Sequence, residues 1–117
     1  MSTERMYQLA EIEANIAHAK EIVAKGAALE RLKNHPDFRK VVVEGYLERE
    51  AIRLVHLKGD QNMQKPERQA GIQADIDAIG RFAAYLGSVS QFAAMAAASL
   101  EDAEAAREEI AAEELDQ

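Results

Sequence analysis

The chain has 117 residues, no cysteine, no tryptophan, 48 % hydrophobic and 5 % aromatic residues, and a formal net charge of −7. That length suits one domain, and the lack of cysteine excludes a disulfide framework, a thiol nucleophile and any zinc site built on sulfur. No apolar run approaches the roughly 18–20 residues of a membrane span. Met1-Ser2-Thr3-Glu4-Arg5 also lacks the basic flank and apolar core of a secretory leader, so a cytoplasmic (host cell) or virion location is expected.

Charge is unevenly placed. Residues 101–117 hold eight acids against Arg107, while residues 1–100 balance at thirteen acids and thirteen bases. An acidic chain lacks the overall basic field that releases counterions from phosphate, so no direct nucleic-acid binding is expected. The organisation reads as a helical domain over 1–100 and an acidic C-terminal helical tail over 101–117. That tail is either solvated or offered to a basic partner.

In chain order, Ser2 or Thr3 caps a first helix with Glu4 in its opening turn. Met6, Leu9, Ile12, Ile16, Ala19, Val23, Gly26, Leu29 and Leu32 recur in steps of three and four, the stripe of an amphipathic helix. Gly26 weakens helix by up to about 1 kcal/mol relative to alanine, so it marks either a bend or a close approach of another helix. Pro36 disfavours helical geometry at His35 and ends the first helix near Lys33. It suits the first position of a second helix over about 36–58, with Asp37 at the positive helix end. Val41, Val42 and Val43 favour strand locally and Gly45 is a poor helix residue, so a short strand is the alternative there.

Residues 59–65 read as a polar loop, after which Pro66 opens a third helix. Ile72, Ile76, Ile79, Ala83 and Leu86 follow a heptad rhythm, widened by Phe82 and Tyr85. Gly87-Ser88 is expected to end that helix, with Ser88 and Gln91 spaced as a capping box. A fourth helix would carry Val89, Phe92, Met95 and Ala96 onward to Ile110, with Ser99 and Asp102 offering a further cap. The fold class expected is all-α: antiparallel helical hairpins or a small bundle of three to four helices. Phe38, Tyr46, Phe82, Tyr85 and Phe92 are expected in the core.

Chemistry is sparse. His18, His35 and His56 are far apart and none forms a Glu-x-x-His pair, which excludes a ferritin-like di-iron bundle. Asp75-x-Asp77 lacks the glycine and distal glutamate of a calcium loop, and the glycines are too scattered for a phosphate cradle. No catalytic residue, metal or cofactor is expected. Glu44 and Glu48 share a helical face with Lys40 one turn earlier, the spacing of a surface ion-pair ladder. Arg49, Arg53 and His56 also share a face, at i, i+4 and i+7, and form the candidate partner- or anion-binding set, with Glu50 beside them.

The central segment runs through Ala28-Leu29-Glu30-Arg31-Leu32, Pro36-Asp37-Phe38, Gly45-Tyr46-Leu47, Arg53-Leu54-Val55, Met63-Gln64-Lys65-Pro66-Glu67 and Asp75-Ile76-Asp77-Ala78-Ile79-Gly80. Over about residues 28–86 this succession resembles a group of small, largely uncharacterised helical proteins of tailed bacteriophages. The resemblance implies a phage-encoded protein that works by binding, in the particle or on a host target, and it carries no catalytic signature. The expected function is a non-enzymatic helical protein-interaction module, structural or assembly-related. Its partner would be itself, a virion protein or a host protein, and a homo-oligomer is expected because four amphipathic helices with few aromatics make a thin core. Two alternatives stand beside it. One is a small inhibitor of a host defence or transcription complex whose acidic tail mimics nucleic acid. The other is a small-ligand or nucleotide-binding bundle using Arg49 and Arg53.

Overall fold

The computed structural model describes residues 2–116, and these are all-α, with no strand among them. The elements are α1 (Thr3–Lys33), α2 (Pro36–Phe38), a π-helical segment (Arg39–Glu50), α3 (Ala51–Lys58), a short 3₁₀ turn (Gln61–Met63) and α4 (Pro66–Leu115). They divide into two compact units, one of residues 1–28 with 89–117, the other Leu29–Ser88.

In the first unit, Ser2 caps α1 by accepting a hydrogen bond at Oγ from the Arg5 amide (3.2 Å). The sequence stripe is the packed face: Ile16, Ala19 and Gly26 are buried, with Leu9, Ile12 and Val23 half-buried. Against them lie Val89 and Ala96 of α4, both buried. The two helices run antiparallel here, because Arg5 meets Glu114, Glu13 meets Arg107 and Gly26 meets Ala93. Gly26 is the point of closest approach. A Cβ placed there would fall well inside contact distance of Ala93 Cβ, so the glycine marks a close approach rather than a bend.

The second unit contains the chain turns. Pro36 opens α2, and His35 is its N-cap, its Nδ1 accepting from the Asp37 amide (3.1 Å). Backbone dihedrals stay helical through Phe38 and through Glu50 and Ala51, so α2, the π segment and α3 form one continuous helical run. Val41, Val42 and Val43 are therefore helical, and the strand alternative is overturned. Gly59 and Asp60 end α3 as expected. The carbonyl of Lys58 accepts hydrogen bonds from the side-chain amides of both Gln64 and Gln69, each at 3.0 Å, and Gln69 also donates to Met63 O (2.7 Å). Two glutamines thus satisfy the end of α3 and hold the turn. Leu54, Ile72 and Ile79 form the core of this unit, packed by Leu47, Ala51, Leu57, Met63 and Ile76.

Two expectations fail on α4. It does not stop at Gly87-Ser88, nor is it capped at Ser99: one helix runs from Pro66 to Leu115. Ser88 Oγ donates back to the Tyr85 carbonyl (2.7 Å) instead of capping a new start. Burial of Val89 and Ala96 just beyond outweighs the weak propensity of one glycine. The aromatics also differ from expectation. Phe38 and Phe82 are half-buried, but Tyr46, Tyr85 and Phe92 are 36 %, 51 % and 56 % exposed.

Substituting Gly26→Ala reverses the ordinary rule for helix glycines. In an open helix the change stabilises by up to about 1 kcal/mol, and Gly80→Ala, with nothing within 4 Å of the new Cβ, is expected to raise the melting temperature. Gly26→Ala is expected to destabilise by about 1–3 kcal/mol through overpacking, and a second change, Ala93→Gly, to recover part of that loss. Melting curves followed by circular dichroism check all three. Among the described residues Leu54, 1 % exposed, is the one large side chain fully enclosed. Leu54→Ala is expected to cost about 2–5 kcal/mol in chemical denaturation.

Candidate interaction surface

The π segment supplies most of the residues that line this surface. In a π-helix the repeating bond runs from an amide to the carbonyl five residues back, which widens the helix to roughly four and a half residues per turn; the segment begins at Arg39, whose own amide still bonds the His35 carbonyl four residues back. Residues nine apart make about two and a half turns of an α-helix and point opposite ways. In the wider helix they complete about two turns and return to one side. Lys40 and Arg49 are such a pair, and they line one open depression of about 380 Å³ with Asn34, Pro36, Arg39 and Glu44. Val41 and Glu50 are another, lining a groove of about 610 Å³ with Val42, Gly45, Tyr46 and Phe82. Gly45 fits the wide turn because a Cβ there would stand 3.1 Å from the Lys40 carbonyl oxygen.

The three residues singled out from sequence have different surroundings. Arg53 donates from Nε to both carboxylate oxygens of Glu50, at 3.1 and 3.0 Å. That hydrogen bond holds the Glu50 carboxyl below the usual glutamate range and raises the Arg53 guanidinium. Arg49 joins Arg39 and Lys40 in the basic depression. His56 is exposed in the last turn of α3. Among the described residues, Arg39, Lys40 and Arg49 take part in no ion pair, and the Lys40–Glu44 pair expected from i, i+4 spacing does not form. Arg39 and Lys40 are the companions of Arg49 that α-helical spacing could not reveal.

The groove beside the depression is apolar. Val41 is 67 % exposed, and Tyr46 and Phe82 meet edge to face with ring centroids 6.0 Å apart. The first unit has a second apolar groove of about 430 Å³, where Phe92, Met95 and Ala96 of α4 face Ala19 and Ile22 of α1, with Asn15, His18 and Ser99 among its lining. Nearby, Arg5 donates to Glu114 Oε1 (2.8 Å) and Arg107 to Glu13 Oε1 (3.2 Å). The bond from Arg5 likewise holds the Glu114 carboxyl low.

Among the described residues no cluster of three or more His, Asp or Glu side chains could hold a metal ion, and no helix is long and apolar enough to cross a membrane. The chain matches no protein-family model, no curated protein and no solved structure.

Because the Glu50 carboxyl titrates low in the folded chain, its bond to Arg53 is present above the ordinary glutamate range and is lost as pH falls through the lowered folded value. In a carboxyl-detected NMR titration, Arg53→Gln is expected to move the Glu50 midpoint upward and leave that of Glu114 in place. An unmoved Glu50 midpoint would show that the bond does not persist in solution.

Proposed function

We propose that this chain is a non-enzymatic helical protein-interaction module that acts as a homo-oligomer, phage-encoded and structural or assembly-related, in the host cytoplasm or the virion. One observation carries the reading. Among the described residues eleven large apolar side chains are exposed, whereas eight hydrophobic residues are buried and two of those are alanine. Single exposed apolar residues are ordinary, but here they gather around grooves: Val41 and Tyr46 in one unit, Phe92 and Met95 in the other. Burying them against a second copy supplies the apolar area that each unit lacks alone, and completes the small helical bundle that the sequence pattern calls for.

The phage assignment rests on the resemblance over residues 28–86. The non-enzymatic reading rests on the two apolar grooves, which hold Glu50 in one and His18 in the other; the ionisable side chains that do gather, Arg39, Lys40, Glu44 and Arg49, line an open surface depression suited to an ion-paired partner.

Sedimentation equilibrium across micromolar to millimolar concentration is expected to give a mass that rises above that of one 12.9 kDa chain. A constant single-chain mass over the whole range refutes the reading.

A further inference from the structure

We propose that the basic depression of Asn34, Arg39, Lys40 and Arg49 receives the acidic face of the C-terminal part of α4 from a second copy of this chain. The proposal rests on the self-association reading and names the surfaces that carry it. Three cations line the depression and none is engaged in an ion pair, with Glu44 as the only acid among the lining residues.

The complementary surface is on α4. Glu101, Glu104 and Glu108 fall at i, i+3 and i+7, one row along two turns, and no ion pair among the described residues uses them. Of the neighbouring charges, Arg107 is committed to Glu13, and Glu113 and Glu114 to Arg5, while Asp102 and Glu109 take part in no ion pair among the described residues. The row therefore has no base left in its own segment. Two turns of carboxylates can meet Lys40 and Arg49, themselves about two turns of the wide helix apart.

Charge balance favours this contact over a symmetric one. Residues 101–117 carry all of the net −7, and residues 1–100 sum to zero. Bringing two acidic segments together sets like charge against like, whereas an acidic segment meeting the depression meets opposite charge on a neutral body. The groove of Val41, Tyr46 and Phe82, lined from the same helical segment though by different residues, offers apolar area that exposed ion pairs by themselves do not supply.

The test is a charge exchange. Lys40→Glu/Arg49→Glu and Glu101→Lys/Glu108→Lys alter exposed positions, so both variants are expected to keep the helicity and melting curve of the parent chain. Each alone is expected to raise the self-dissociation constant at least tenfold by sedimentation equilibrium at about 0.1 M salt. An equimolar mixture of the two is expected to regain association, since every depression then faces a segment of opposite sign. Parental association by both separate variants overturns this docking site while leaving self-association standing, and so does a mixture no tighter than its components. A parent chain that stays monomeric overturns both. Should either variant lose helicity, Lys40→Gln/Arg49→Gln and Glu101→Gln/Glu108→Gln replace them, and unchanged association by that neutral pair counts against the site.

Discussion

The helical register of Arg39–Glu50 is the constraint from which the surface chemistry of this protein follows. Side-chain identity alone would scatter Lys40 and Arg49 to opposite sides of an α-helix. Widening the backbone gathers them into one depression with Arg39 and places Val41, Tyr46 and Glu50 along another groove. π geometry is uncommon and its hydrogen bonds need favourable surroundings. The segment has such surroundings: it is flanked without a break by ordinary helix, Leu47 packs on the Leu54 core, and Gly45 removes the one Cβ that would crowd the Lys40 carbonyl.

The interior is thin for a related reason. Where α1 and α4 pair, the backbones approach through Gly26, Ala93, Ala19 and Ala96, small residues that let two helices come close but bury little area each. Close packing of small groups gives good dispersion contact without much removal of apolar surface from water. The bulky residues of the same helices, Phe92 and Met95 among them, are then left at the groove rather than under it. A helix pair built this way is defined in register yet incomplete in burial, and both properties suit a surface that another polypeptide covers.

Much of the fold was legible in the sequence because punctuation and periodicity speak plainly. Pro36 and Pro66 start helices where proline's fixed φ and missing donor say they should, and the stripe from Leu9 to Leu29 faces inward as its spacing requires. Gly26 announced one of two outcomes, and the close approach is the one found. What escaped was context. Gly87-Ser88 looks like a stop, but helix ends are decided by packing on either side, and Val89 and Ala96 are buried beyond it. Bulk places Tyr46, Tyr85 and Phe92 inside, yet the small-residue seam of α1 and α4 leaves Phe92 at its edge, and Tyr46 and Tyr85 stand outside the aliphatic core of Leu54, Ile72 and Ile79. On the surface, Arg49 was visible as a cation but was grouped by α-helical spacing with Arg53. In the folded chain Arg53 belongs to Glu50 and Arg49 to Arg39 and Lys40. Non-α register has no sequence signature beyond a β-branched run and a glycine, which fit a strand equally well.

The uneven charge has a consequence for how such a surface behaves before it is covered. Exposed apolar grooves invite indiscriminate association, and an acidic segment opposes it, because approaching chains present like charge first. At physiological ionic strength that repulsion is screened within about 8 Å, so it discourages loose encounters yet weighs little against a contact of matched geometry. If two unlike patches on one chain met head to tail rather than reciprocally about a two-fold axis, each copy that joined would leave one patch free at either end. Whether the rotation closes into a ring or continues as a filament is then set by the angle between successive copies, a quantity that a handful of surface side chains can tune without touching the core.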